Sequence, residues 1–361
     1  MAPLVTAIRE PQRGGSQAFV SDLARGLARR GHDVHVYAAT GSEIPGVEVI
    51  DTGIDPESLA GTFYRAFEPA ADERGKAERA AAAAAVAESA FTTAYKLMQV
   101  IRYDVIHNHA FDAPAVRLAT ALRAPVVHTF HLPPDKAVSV ALRQVARGNR
   151  PPAVATVSDF QASAWRRIAP VDAVLPPYPA TRDIPWTGTA GHGALFAGRL
   201  SPEKGAAEAI DIARAAGVPI DVYGDVYDAG YSRAQIDPRR DWPGVTVRPG
   251  VARASLWEAM ARAAVVLCPS RWDEPFGLAA AEAQACGTPV VAFRRGGLGE
   301  VIADGVTGFL VPPDDLGAAA EAVSKVAGIS RLACRQHAEG QLDLELSLDA
   351  HERLYRHVAG G

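Results

Sequence analysis

A chain of 361 residues is too long for one compact core and divides most naturally into two domains of roughly 150–200 residues each. Its 48% hydrophobic and 22% charged content is that of a soluble globular enzyme, and a formal charge of −4 gives no cationic field to draw it to nucleic acid or anionic lipid. Three cysteines without metal-ligand spacing (Cys268, Cys286, Cys334) argue against a disulfide framework or a zinc site.

From the N-terminus, Leu4-Val5-Thr6-Ala7-Ile8 reads as a first buried strand. The loop Glu10 to Ser16 carries Gly14-Gly15, and Gln17 to Arg30 has helical periodicity, with Phe19, Val20, Leu23, Ala24 and Leu27 on one face. Val34 to Ala38 is the next strand, so the chain opens on a β-loop-α-β unit. Gly14-Gly15 is either a turn that needs positive φ or a place where a ligand approaches bare backbone. Val47 to Asp51 is a third strand, and Glu73 to Arg102 one long Ala-rich helix.

Two strands then end in histidine: Asp104 to His109 and Pro125 to His131. His107 and His128 lie within them and read as packed residues. His109 and His131 fall past the carboxyl ends, where open α/β sheets bind ligands. Val154 to Ser158 is a further strand, with Ser158 as N-cap of the helix after it.

A Pro-, Gly- and Thr-rich stretch from Pro176 to Gly193 has linker composition, and a second βα series follows. Strand Ala194–Ala197 runs into Gly198-Arg199-Leu200-Ser201-Pro202-Glu203-Lys204-Gly205, where two cations at a strand end can neutralise a diphosphate. Strand Val265–Cys268 leads to Glu274-Pro275-Phe276-Gly277-Leu278. A helix begins there, offering free N–H groups and a positive dipole end. Glu274 can accept hydrogen bonds from sugar hydroxyls. Glu282, inside that helix among alanines, can reach a ribose diol, and an acid so placed needs a partner. The last convincing helix is about Asp349 to Val358.

These residues resemble glycosyltransferase family 4, the retaining sugar-nucleotide transferases of GT-B fold. The likeness rests on Gly14-Gly15, His109, Gly198-Arg199 with Glu203-Lys204-Gly205, and the two acids of Glu274 to Ala292 (EPFGLAAAEAQACGTPVVA). Gly296-Gly297 with Glu300, and Thr307 to Val311, also fit. It covers nearly the whole chain, tightly from about residue 195 to 315.

The resemblance implies an α/β GT-B architecture, two Rossmann-like doubly wound domains facing across a cleft. Residues 1–178 would bind acceptor, 179–193 would be the linker, and 194–345 would bind the nucleotide sugar. Residues 346–361 would be a C-terminal helix, for which return to the first domain is an open option. The catalytic set it implies is His109, Arg199, Lys204 and Glu274: the two cations on the leaving diphosphate, Glu274 on donor sugar and phosphates, and His109 on the transferred sugar. Gly14, Gly15, Gly198, Phe276, Gly277, Leu278 and Glu282 would line the donor, Glu282 at its ribose, and His131 is an acceptor candidate.

No cofactor and no metal are expected, and the chain has no Asp-x-Asp motif. The partners would be a nucleoside diphosphate sugar donor and a small-molecule, glycan or lipid-linked acceptor. No leader pattern opens the chain and no apolar run reaches the length of about 18 residues that spans a bilayer, so the cytoplasm is the expected compartment. The alternatives are a nucleotide-sugar epimerase of the same architecture, told apart by its product, and a non-catalytic nucleotide-sugar-binding protein. A nicotinamide dehydrogenase is disfavoured, because no GxGxxG follows any strand.

Overall fold

Short apolar runs bounded by glycine and proline form strands buried on both faces, as parallel sheets require. The computed structural model describes residues 1–12, 14–57, 59, 73–189 and 191–360. The chain forms two units. One comprises Met1–Arg9, Gly14–Pro176 and Leu348–Gly361, the other Glu10–Arg13 and Pro177–Ser347.

In the first unit, β1 (His35–Ala38) pairs in parallel with β2 (Glu48–Asp51). A second parallel sheet runs in the order β3 (Ile106–Asn108), β4 (Val126–Phe130), β5 (Ala153–Thr156), β6 (Ala173–Val174). The expected first strand at Leu4–Ile8 is not formed: residues 4–8 lie in turns and bends. Backbone hydrogen bonds to neighbouring strand segments instead involve Met1 and Ala2. Ala2 N–H donates to Tyr37 O, and His109 N–H donates to Met1 O. Pro3 has no N–H to carry the ladder further, although Leu4 and Ile8 are still fully buried.

The helix Gly15–Arg29 buries the face predicted from its periodicity, including Phe19, Val20, Leu23 and Leu27. The long helix is Glu73–Met98, ending one turn before Arg102. Ser158 caps the helix Asp159–Trp165, its hydroxyl accepting from Gln161 N–H. The final helix spans Leu344–Ala359, and its residues from Leu348 onward belong to this unit. Leu354, Tyr355 and Val358 pack there against Val127, Ala155 and Leu175.

The second unit is one six-stranded parallel sheet. The strands are β7 (Ala194–Ala197), β8 (Ile220–Tyr223), β9 (Val245–Arg248), β10 (Val265–Cys268), β11 (Val290–Phe293) and β12 (Gly308–Val311). Their order is β12-β11-β10-β7-β8-β9. Strand succession therefore runs outward in one direction from β7 and in the other from β10, which places a topological switch point between these two central strands. Their burial follows position: β10 and β11 are almost wholly inside, whereas the edge strand β9 alternates between exposed and half-buried residues.

Candidate functional site

The switch point gathers the predicted residues of the second unit. Past the end of β7, Gly198 N–H donates to Tyr223 O, and the chain turns through a short 3₁₀ segment, Pro202–Lys204, to Gly205. Gly205 has φ +75°, and a Cβ there would lie 2.1 Å from the carbonyl oxygen of Pro269, just beyond β10. The two strand-end loops can approach this closely only because that position is glycine.

This contact brings Lys204 to Glu274. Lys204 Nζ lies 2.7 Å from Glu274 Oε1, and both side chains are mostly buried. The other carboxylate oxygen, Oε2, accepts from Trp272 Nε1 at 2.6 Å and from Ser270 Oγ at 3.2 Å. The Lys204 ammonium also sits 5.1 Å from the centre of the Trp272 ring. Arg199 is held differently: its guanidinium pairs with Glu203 at 3.2 Å and lies 4.3 Å from the centre of the Tyr227 ring. Glu274 therefore has charge-assisted bonds on both oxygens, and the site holds two cations within one turn of chain.

The helix Leu278–Ala285 starts at Gly277, whose backbone is left-handed, and Phe276 packs against the Tyr178 ring. The Gly296-Gly297 turn lies directly on the Glu274 loop, with Gly297 N–H donating to Glu274 O at 2.7 Å. Glu282 is only 5% exposed. The partner expected for a buried acid is Arg253, the first residue of helix Arg253–Arg262, with Nη2 at 2.7 Å and Nε at 3.1 Å from Oε1.

In the first unit the structure pairs His109 with His131, Nδ1 to Nε2 at 3.0 Å. Both lie just beyond their strands. The Phe19 ring stands 6.2 Å from each, so the helix that begins at Gly14-Gly15 packs directly on the pair. Gly14 is extended at φ −161° and N-caps that helix, so the glycine pair is not a positive-φ turn. A Cβ at Gly14 would meet Gln17 Oε1 at 2.6 Å. A cavity of about 80 Å³ beside His131 is lined by Phe111, Phe130, Leu132 and Trp165 among others.

Burial holds His109 well below the usual histidine range, with His107 and His131 adding to the effect, and pushes His131 down to about 3. Both rings are neutral at pH 7. His107 and His128 are packed as expected: His107 lies between Tyr355 and Thr129, and His128 Nδ1 accepts from Asn108. Among the described residues no group of three or more His, Cys, Asp or Glu could hold a metal ion, and no helix is long and apolar enough to cross a membrane.

The sequence reading missed Trp272, Ser270, Tyr227 and Arg253. Trp272 carries a usable signal, being two residues before Glu274. Nothing local marks Arg253, which meets Glu282 only through tertiary packing.

The profile described as Glycosyltransferase Family 4 matches residues 13–177, and that described as Glycosyl transferases group 1 matches residues 192–339. The D-inositol 3-phosphate glycosyltransferase of Mycolicibacterium paratuberculosis is 30% identical over 86% of this chain and 77% of its own length. Among solved structures, sucrose-phosphate synthase from Thermosynechococcus elongatus superposes with a TM-score of 0.76 at 19% identity, over 99% of each chain. HepE from Anabaena, in complex with UDP-glucose, gives 0.68 at 20% identity over 96% of this chain and 97% of its own. The chain belongs to glycosyltransferase family 4 and is a glycosyltransferase of GT-B fold.

Proposed function

We propose that this glycosyltransferase moves a sugar from a nucleoside diphosphate sugar to an acceptor hydroxyl with retention of configuration and without a metal ion. The observation that carries the reading is the Lys204–Glu274 pair at the β7/β10 switch point, with Arg199 in the same turn and a helix N-terminus beside it. In this reading Lys204 and Arg199 neutralise the leaving diphosphate. A bound diphosphate draws Lys204 away from Glu274, whose carboxylate stays fixed by Trp272 and Ser270 and receives donor-sugar hydroxyls. Gly198 and the backbone of Phe276, Gly277 and Leu278 approach donor phosphates and sugar, and Glu282 takes the ribose. His109, neutral and fixed by His131, contacts the transferred sugar, Gly14-Gly15 gives close access to bare backbone, and His131 borders the acceptor.

The bond from the anomeric carbon to the phosphate oxygen breaks with its electron pair leaving on the phosphate. The acceptor oxygen attacks the same face, and its proton passes to the departing phosphate oxygen. The main electrostatic task is stabilising the charge that accumulates on that phosphate. HepE is solved in complex with UDP-glucose and the relative named above is called a D-inositol 3-phosphate glycosyltransferase, so uridine diphosphate sugars and phosphorylated polyols are the first donor and acceptor classes to try.

The test is a melting-temperature screen with UDP-, GDP- and ADP-sugars, followed by acceptor-dependent release of nucleoside diphosphate and assignment of the product anomer by NMR. One donor class should raise the melting temperature, and the product should keep the donor's anomeric configuration. An inverted product, or no stabilisation by any donor at millimolar concentration, would sink the proposal.

A further inference from the structure

Glu282 is placed unusually for a carboxylate. It lies on the buried side of helix Leu278–Ala285, with Ala280, Ala281, Ala283 and Ala285 all fully enclosed around it. A lone charge there would be costly, and Arg253 compensates it. The geometry of that compensation is one-sided. Nη2 at 2.7 Å and Nε at 3.1 Å both converge on Oε1, and no described residue donates to Oε2. The guanidinium is itself fixed: its centre lies 4.8 Å from the Trp257 ring, one turn along the same helix, and the Arg253 backbone N–H donates to Glu10 Oε2.

We propose that Arg253 is a positioning residue for donor recognition. It takes one oxygen of Glu282 and pins the carboxylate so that the other accepts from the vicinal hydroxyls of the nucleoside ribose. The inference rests on the donor reading above. A carboxylate already charged, desolvated and locked in one rotamer gains the full worth of each ribose hydrogen bond, because little ordering is left to offset it. Without Arg253 no described residue supplies a counter-charge to the carboxylate in its buried setting, and it must reorient or take up a proton. Either response removes the acceptor that reads the diol.

The experiment compares binding of UDP, GDP and ADP with that of their 2′-deoxy and 3′-deoxy forms to the full chain by calorimetry. The wild-type chain should prefer the ribonucleotide by about tenfold to a hundredfold, the worth of a hydrogen bond to a charged group. Arg253→Gln should cut that ratio to roughly threefold or less, and in turnover the loss should fall on donor KM rather than on kcat. Arg253→Lys, which keeps the charge without the two converging N–H groups, should also lose most of the ratio, and it guards against a glutamine variant that fails to fold. Either variant retaining the wild-type ratio while folded overturns the proposal. A wild-type chain that binds a nucleoside diphosphate without ribose preference also overturns it and leaves the donor reading intact. A wild-type chain that binds no nucleoside diphosphate refutes the donor reading itself.

Discussion

Gly296→Ala tests whether the glycine turn after β11 sets the position of Glu274. Gly296 has φ +57°, and an added Cβ would sit 2.2 Å from Glu274 O, 2.5 Å from Glu274 N and 2.7 Å from the Asp273 carbonyl carbon. All three are backbone atoms, so no side chain can swing away, and the two loops must part by roughly 1 Å. The left-handed backbone costs alanine about 1 kcal/mol, and the overpacking about 1–3 kcal/mol more. Gly297 N–H is bonded to Glu274 O, so the displacement passes to the residue that holds Lys204. A shift of about 1 Å at such a group costs on the order of a hundredfold in turnover. Denaturant unfolding should show a loss of about 2–4 kcal/mol, and donor turnover a fall of about a hundredfold. Gly299→Ala is the control, because a Cβ there meets nothing within 4 Å, and it should leave both readouts unchanged. A Gly296→Ala protein as stable and active as wild type would refute the reasoning, as would equal damage from Gly299→Ala.

Two further outcomes follow from buried polar groups. The Arg331 guanidinium donates to the carbonyls of Thr187, Ala263 and Ala261 and to the Thr288 hydroxyl, so Arg331→Met should destabilise the second unit by about 3 kcal/mol or more, measured by denaturant midpoint. Stability should also fall with acid. Burial depresses His128 and His131 to about 3 and holds His107 and His109 well below their ordinary range, so the unfolded chain binds more protons than the folded one. The stabilisation is complete above pH 6.5 and declines as pH falls below it, with His128 and His131 each losing about 1.4 kcal/mol per pH unit down to about pH 3. Asp112, raised to about 6 by burial and by Asp135, takes up a proton in the folded state and offsets one of them between pH 6 and 3.8. Urea unfolding of the full chain between pH 7 and 4.5 should therefore show stability declining with acid, and a flat or rising profile would contradict the assigned neutral histidines.

What was legible in the sequence is what local chemistry determines. β7, β10 and β11 could be placed because each is a four-residue apolar run with glycine or proline directly at one end, and a parallel sheet buries such runs on both faces. Lys204 and Glu274 could be named because each follows a strand end that the sheet topology brings to the switch point. The run Leu4–Ile8 misled for the same reason. Its apolar pattern correctly marks burial, but Pro3 interrupts the ladder at the position where it would have to continue.

Composition tells which side chains must be inside, whereas backbone pairing depends on neighbours elsewhere in the chain. Arg253 is the limiting case. The alanines around Glu282 require a counter-charge, yet they cannot say which of the 37 basic residues provides it, because helix Arg253–Arg262 meets helix Leu278–Ala285 only through tertiary packing. A buried acid without a local partner is thus a dependable sign that a distant cation converges on it. The oxygen which that cation leaves open is the place to look for a ligand.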